Sequence, residues 1–176
     1  DGVDCTFRAT GQTGIMISGE GVPIDADVAD FFAGAAEMLS PANDPGHWDI
    51  IEGQGSLSHP AYASVSVGLL HGSQPDAIVV CHDPSRRHLL GWPDYSLPDI
   101  NDCISDALAR GQLTNPDVLC VGVCVNTSQI EPGDQAALLN QLSQKTGLPC
   151  VDPLTTGVEP ITEKLVQIFA IPVPQQ

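Results

Sequence analysis

The segment Glu52-Gly53-Gln54-Gly55-Ser56 carries the sharpest chemical signal in the sequence. It follows the apolar run Trp48-Asp49-Ile50-Ile51 directly and precedes a helical pattern that starts near Ala61. Glycines let backbone N–H groups approach a phosphate closely, and the N-terminus of a following helix adds partial positive charge. A carboxylate at the end of a strand can hold Mg²⁺ or accept a proton. A tight strand–helix turn would explain the glycines, but it would not explain Glu52.

Polar or small residues also follow the other predicted strands. Residues 10–14 come after the first apolar run, and His82 ends the third. Asn126 follows the longest run, and Asp152 follows the last one. Ligands of open parallel sheets bind beyond the carboxyl ends of the strands. We therefore predict one binding site at this edge of the sheet, although polarity alone is typical of loops.

Arg86 and Arg87, followed by His88, form the basic cluster of a strongly acidic sequence. Six Lys and Arg residues stand against 22 Asp and Glu residues, which gives a formal net charge of −16. Such a chain repels nucleic acid and anionic membrane surfaces. An anionic ligand therefore needs a local positive site, which the two arginines can supply. A solvated loop explains them equally well on sequence alone.

Histidines and acidic residues supply further candidates. His82 is the best-placed histidine, and no pair of histidines has the spacing of metal ligands. Asp30 stands beside apolar Phe31 inside a helical pattern, where helix capping does not explain it. The Gly-x-Ser-x-Gly elbow of hydrolases and the Walker A pattern are both absent from these 176 residues.

The elements that must position these residues alternate between strand and helix. Strands are predicted over residues 3–9, 48–51, 76–82, 118–125 and 149–151, with helices over 61–71 and from Pro132 to Gly147. Asp25 and Asp99 are predicted helix N-caps, and a last helix contains Ile161 and Phe169. Residues 10–21 form a glycine-rich stretch, and residues 84–98 are predicted to be irregular. Strands that are apolar on both faces are typical of parallel sheets with helices on both sides, so we predict a three-layer α/β fold with a mainly parallel sheet.

The six cysteines do not indicate a disulfide framework. Cys81, Cys120 and Cys124 lie in apolar runs, where cysteine packs as a small hydrophobic residue. Cys120 and Cys124 would lie roughly 13 Å apart in an extended strand, too far to bind one metal ion together. We predict reduced structural thiols in a cytoplasmic protein. No apolar run has the length of a membrane span.

Several longer blocks resemble the P-loop domain of the D-glutamate N-acetyltransferase family, which was long catalogued as a domain of unknown function. The resemblance covers nearly the whole chain. It rests on residues 9–14, 30–37, 48–60, 69–76, 113–117 and 149–153.

The resemblance implies a P-loop NTPase-like fold over residues 1–170, followed by a tail at 171–176. In the family a smaller Rossmann-like domain precedes this domain, which opens with a strand and a Walker A-like loop. The present sequence begins at the equivalent of the second strand. We therefore expect that the chain needs an N-terminal segment, supplied by a longer precursor or by another polypeptide, and that an apolar sheet edge is exposed or covered by another segment.

The resemblance further implies transfer of acetyl from acetyl-CoA to the amino group of D-glutamate. A second likeness, to the Glu-Gly-x-Gly-Gly segment of dethiobiotin synthetase, keeps an ATP- and Mg²⁺-dependent ligase or kinase open. An inactive fragment or binding module is the third hypothesis. The expected partners are a small anionic substrate and further copies of the chain, with no nucleic acid and no membrane.

On these hypotheses the site residues take three roles. The predicted catalytic residues are Glu52, His82 and Asp30, the predicted cofactor-binding residues are Gln12, Thr13, Gly53, Gln54, Gly55, Ser56 and Asn126, and Arg86 and Arg87 are predicted to bind anionic groups of the substrate. Glu52 is also the candidate Mg²⁺ ligand.

Overall fold

The computed structural model describes residues 3–169, which form two units. The first comprises residues 3–75 and 110–116, and the second comprises residues 76–109 and 117–169.

The first unit is built on two short parallel strands. Strand β1 (Cys5–Arg8) pairs with β2 (Trp48–Ile51), so that Arg8 lies opposite Ile51. Both strands therefore end at the same edge, where residues 9–11 and 52–54 continue the chain. The connecting elements are α1 (Gln12–Ser18), two 3-10 turns (Ile24–Ala26 and Ala29–Phe31) and α2 (Phe32–Glu37), and helix α3 (Ala63–Ser73) follows β2.

Small side chains bring α2 and α3 together in the first unit. A Cβ atom on Gly72 would lie 2.5 Å from the carbonyl oxygen of Ala33 and 2.6 Å from the Cβ atom of Ala36. Such distances leave no room for a methyl group, so the glycine permits the close packing. Ile24, Leu39 and Leu69 belong to the buried cluster of this unit.

The second unit contains a parallel sheet in the order β3-β6-β7, formed by β3 (Ala77–His82), β6 (Leu119–Val125) and β7 (Cys150–Val151). An antiparallel hairpin, β4 (His88–Leu89) and β5 (Trp92–Ser96), follows β3. The helices of this part of the chain are α4 (Ile100–Gly111), α5 (Pro132–Thr146) and α6 (Glu159–Phe169). Val123 and Val125 pack with Ile100, Leu139 and Leu142 in one cluster, and Val121 and Val151 pack with Ile161 in another.

Parallel strands alternating with helices confirm the predicted α/β class. The predicted caps gave mixed results. Asp99 caps α4, because its carboxylate accepts the backbone N–H of Asn101 at 3.0 Å, and Gly147 ends α5 in the left-handed conformation with φ 69°. Asp25 does not cap a helix, because it lies inside a 3-10 turn whose N-cap is Pro23.

Two further predictions were wrong, and one helix was not predicted. The stretch 10–21 contains α1, which the glycines had concealed, and the stretch 84–98 contains the β4–β5 hairpin. Strand β3 is not covered on both faces, because Val79 and Cys81 are exposed. An apolar sequence therefore indicated the strand correctly but not the burial of both its faces. The predicted tail at 171–176 lies outside the described residues.

No helix within residues 3–169 combines the length and the apolar character that crossing a bilayer requires.

Candidate functional site

The Glu52 carboxylate is held by the backbone that follows β1. Its Oε2 atom accepts the N–H groups of Thr10 at 2.9 Å and of Gly11 at 3.0 Å. The register of β1 and β2 brings these groups together, because the N–H of Glu52 itself donates to the carbonyl of Arg8 at 2.9 Å. Among the described residues no donor reaches Oε1 of Glu52. The structure thus leaves one carboxylate oxygen available for a proton, a metal ion or a substrate.

Helix α1 packs directly against this carboxylate. A Cβ atom on Gly14 would lie 2.2 Å from Oε2 of Glu52 and 2.9 Å from its Cδ atom. Gly14 is buried and Glu52 is half-buried, so a methyl group at position 14 would have to displace the carboxylate. Position 14 therefore needs a glycine if Glu52 is to keep its two backbone hydrogen bonds.

Thr10 connects the two strand ends through its side chain. It is fully buried, and its Oγ1 atom donates to the carbonyl of Glu52 at 2.9 Å. The same oxygen accepts the side-chain amide of Gln54 at 2.7 Å. Thr10 thus fixes the main chain at Glu52 and the rotamer of Gln54.

The rest of the 52–56 loop combines open positions with packed ones. Gly53 is exposed, and an added Cβ atom would meet nothing within 4 Å. A Cβ atom on Gly55 would lie 3.0 Å from the Cβ atom of Tyr62, so packing of the following turn explains this second glycine. Ser56 is exposed and accepts the N–H of Ser58 at 3.2 Å.

The remaining predicted residues of the first unit lie at the surface. Gln12 and Thr13 are exposed in the first turn of α1, and Asp30 is exposed in the 3-10 turn Ala29–Phe31. Gln12 and Thr13 directly follow Gly11, whose backbone N–H donates to the Glu52 carboxylate.

His82 ends β3 in the second unit, as predicted. Its backbone carbonyl accepts the N–H of Asn126 at 2.9 Å, which joins the ends of β3 and β6. Burial lowers the pKa of the His82 imidazole, and this effect outweighs the opposing influence of the Asp83 and Asp99 carboxylates. The imidazole is therefore neutral at pH 7 and can accept a proton.

Asp99 lies among the groups that act on His82. It binds the ammonium group of Lys145 and caps α4 through the N–H of Asn101. These hydrogen bonds, led by the one from Lys145, lower the pKa of the Asp99 carboxyl. The pair connects the start of α4 to the end of α5.

A buried carboxylate joins the ends of β6 and β7. Asp152 is 4% exposed, and its Oδ2 atom accepts both the hydroxyl group and the N–H of Thr127. Its Oδ1 atom accepts the N–H of Leu154 at 2.9 Å. The hydrogen bond from the Thr127 hydroxyl is the main cause that lowers the pKa of Asp152. The neighbouring Asn126 is exposed, and its side-chain oxygen accepts the N–H of Ser128 at 3.1 Å.

The two arginines of the basic cluster have different surroundings. The Nε atom of Arg86 lies 2.9 Å from a carboxylate oxygen of Asp83, whereas no carboxylate of residues 3–169 pairs with Arg87. The backbone carbonyl of Arg87 accepts the N–H of Leu97 at 2.9 Å and so closes the β4–β5 hairpin.

The predicted site residues divide between the two units. Glu52 and Gln54 form one hydrogen-bonded cluster with Thr10 and Gly11 in the first unit, whereas His82 and Asn126 adjoin each other in the second. No group of three His, Cys, Asp or Glu side chains among residues 3–169 could hold a metal ion.

Sequence reasoning missed several residues that organise these clusters. Thr10 was included only in the polar stretch 10–14 and Thr127 was not singled out, although both are fully buried. A threonine directly after an apolar run, with an acid after the neighbouring strand, is the signal that could have indicated these connections. Nothing in the sequence indicated that Gly14 contacts Glu52.

Parallel strands that alternate with helices place the chain in the class of α/β proteins with parallel sheets. Comparison with known proteins identifies its family. A family model described as "Domain of unknown function (DUF1611_C) P-loop domain" matches residues 1–162. The chain belongs to this DUF1611 family, which confirms the predicted P-loop-type fold and the predicted resemblance.

Two curated relatives and one solved structure agree with this assignment. A D-glutamate N-acetyltransferase of Pseudoalteromonas sp is 56% identical over 163 residues, covering 93% of this chain and 49% of that protein. One of Tritonibacter scottomollicae is 47% identical over 167 residues, covering 95% of this chain and 50% of that protein. The crystal structure of a DUF1611 family protein from Anabaena variabilis is 31% identical, with a TM-score of 0.85, and the match covers 93% of this chain and 48% of that one. The chain thus spans about half the length of the curated relatives it matches.

Proposed function

We propose that this chain belongs to an N-acetyltransferase that moves an acetyl group from acetyl-CoA to the amino group of D-glutamate. One observation carries the proposal. Relatives that match 93% and 95% of the chain, at 56% and 47% identity, bear the name D-glutamate N-acetyltransferase.

The reaction makes three demands on the protein. The ammonium group of the acceptor must lose a proton, because only the free amine attacks the carbonyl carbon of the thioester. The tetrahedral oxyanion needs hydrogen-bond donors before the C–S bond breaks and CoA leaves. The carboxylates of the acceptor need cationic or amide partners.

Glu52 is the base we propose first. Two backbone N–H groups hold Oε2, which fixes the position of the carboxylate without help from a flexible side chain. Oε1 is the atom that takes the proton from the acceptor ammonium. The loop that follows is open at Gly53, where an added Cβ atom would meet nothing within 4 Å.

His82 is the alternative base. Its lowered pKa keeps the ring neutral at pH 7, which a base requires, and its position at a strand end suits a ligand site. Substitution separates the two candidates, because only the variant that removes the base should lose turnover.

The remaining roles follow from donor chemistry. Gln12, Gln54 and Ser56 are the proposed donors to the oxyanion, and Arg86 and Arg87 are proposed to bind anionic groups. Gln54 already uses one amide hydrogen on Thr10, so its second hydrogen is the one that remains for substrate.

The experiment measures thiol release when the purified protein is mixed with acetyl-CoA and D-glutamate. We expect thiol release that depends on D-glutamate, with little release when L-glutamate replaces it. No release with any amino acid would overturn the proposal.

Glu52→Gln then tests the base. The amide oxygen of the glutamine can still accept the N–H groups of Thr10 and Gly11, so the fold should persist, but the side chain can no longer take a proton. We expect a loss of about 100-fold or more in kcat. Glu37→Gln, on the exposed surface of α2, is the matched control and should leave kcat unchanged. Unaltered turnover in Glu52→Gln would give Glu52 an architectural role and shift the base to His82.

A further inference from the structure

The β4–β5 hairpin of the second unit presents aromatic rings at the surface. Trp92 is 39% exposed and Tyr95 is 48% exposed, although both are large and partly apolar. Their ring centroids lie 5.4 Å apart at an interplanar angle of 89°. Every residue of β5 is exposed. Tyr and Trp are enriched at interfaces, because each combines a large apolar ring with a polar group.

A cation stands at the base of the same hairpin. Arg87 precedes β4 directly, and its backbone is fixed by the hydrogen bond to Leu97. Arg8 pairs with Asp49, Arg86 with Asp83, and Lys145 with Asp99. By contrast, no carboxylate of residues 3–169 pairs with Arg87. In a chain with a net charge of −16, an arginine that pairs with no described carboxylate is available to bind an external anion.

The combination of aromatic rings and a cation indicates the chemical class of the ligand. Aromatic faces bind purine bases by stacking, and a guanidinium group binds phosphate. Of the two substrates in the proposed reaction, CoA carries an adenine base and a 3′-phosphate, whereas D-glutamate has carboxylates but no ring. We infer that the hairpin binds the adenosine 3′-phosphate end of the acyl-CoA donor, with adenine against Trp92 and Tyr95 and the 3′-phosphate on Arg87. This inference rests on the proposed function for the identity of the donor.

One residue of the hairpin opposes the ligand. Asp94 lies in β5 between the aromatic residues and carries the same sign of charge as the phosphate. Asp94→Asn should therefore tighten binding, whereas Arg87→Gln should weaken it. Opposite effects from two substitutions in the same hairpin are difficult to obtain from a general disturbance of its structure.

Binding can be measured without catalysis. The chain contains two tryptophans, so Trp48→Phe leaves Trp92 as its fluorescent reporter. We expect adenosine 3′,5′-bisphosphate to quench Trp92 and to bind about tenfold more tightly than adenosine 5′-monophosphate, since a charge-assisted contact is worth about that ratio. Arg87→Gln should abolish the difference between the two nucleotides. Lys164→Gln, which removes a cation from α6, is the matched control and should preserve it.

Kinetics with the active enzyme provide a second measurement. Arg87→Gln should raise the KM for acetyl-CoA about tenfold and leave the KM values for acetyl-dephospho-CoA and for D-glutamate unchanged. A rise in the KM for D-glutamate instead would assign Arg87 to the acceptor and overturn the inference. Absence of quenching, or equal effects of Arg87→Gln and Lys164→Gln, would also overturn it. Quenching without turnover on any acyl donor would refute the proposed function but leave the nucleotide site standing.

Discussion

The Glu52 carboxylate lies so close to Gly14 that a Cβ atom at position 14 would come within 2.2 Å of Oε2. Glu52 thus contacts both the backbone after β1 and the first turns of α1. A residue predicted to do chemistry therefore also has a structural role in this part of the first unit.

Gly14→Ala should destabilise the protein although alanine favours helices. The methyl group would displace the carboxylate from the N–H groups of Thr10 and Gly11, and overpacking of this kind costs about 1–3 kcal/mol. Urea unfolding gives the change in the free energy of unfolding. The cycle with Glu52→Ala identifies its cause, because the penalty of Gly14→Ala should shrink when the carboxylate is absent. An equal penalty in both backgrounds would contradict this explanation.

Thr10→Val should cost about 1–3 kcal/mol of stability, because it leaves the carbonyl of Glu52 and the amide of Gln54 without their buried partner. Valine has nearly the same shape, so packing changes little. Thr10→Ser keeps the hydroxyl group and should lose less. If the two variants were equally stable, the hydroxyl group would have no structural role.

Gly72→Ala should destabilise the contact between α2 and α3, because the new methyl group would meet the backbone oxygen of Ala33 at 2.5 Å. Gly34→Ala is the matched control in α2, where an added Cβ atom meets nothing within 4 Å. There the higher helix propensity of alanine should stabilise the protein by up to about 1 kcal/mol. The midpoint temperature of thermal unfolding should fall for Gly72→Ala and rise for Gly34→Ala. A shift in the same direction for both variants would contradict the packing argument.

Asp152 should make the protein sensitive to acid. The hydrogen bond from the Thr127 hydroxyl lowers the pKa of the Asp152 carboxyl in the folded state. The contribution of the ionised carboxylate to stability is therefore complete above the unfolded pKa of about 4, and it is lost as the pH falls through the lower folded pKa. Asp152→Asn should flatten the fall of stability below about pH 4, while lowering stability at pH 7. Thr127→Val, which removes the main cause of the shift, should have an intermediate slope. Unfolding curves measured from pH 7 to pH 3 check this order, and a wild-type slope in Asp152→Asn would refute it.

Much of the fold was predictable because local patterns are strong where tertiary context agrees with them. The run 48–51 became β2 with its predicted bounds, and Pro132 and Gly147 marked the limits of α5 as expected. Proline and glycine act through their own backbone preferences, which no neighbour needs to supply. The helix over residues 12–18 was not predicted, because Gly14 disfavours a helix by its local propensity. Its glycine is explained by the contact with Glu52, which is distant in sequence.

By itself, the sequence determined the α/β class and the membership of a family whose named relatives suggest a reaction. It also placed polar residues at or directly after strand ends, at Glu52, His82 and Asn126. These follow from periodicity, turn chemistry and motif, which are properties of neighbouring residues along the chain. Tertiary structure alone decided that Oε2 of Glu52 is held by Thr10 and Gly11, that Asp152 is buried against Thr127, and that the hairpin after β3 exposes its aromatic rings. These depend on contacts between residues far apart in sequence, because strand register and helix packing, rather than residue type, set which groups meet and which remain open to solvent.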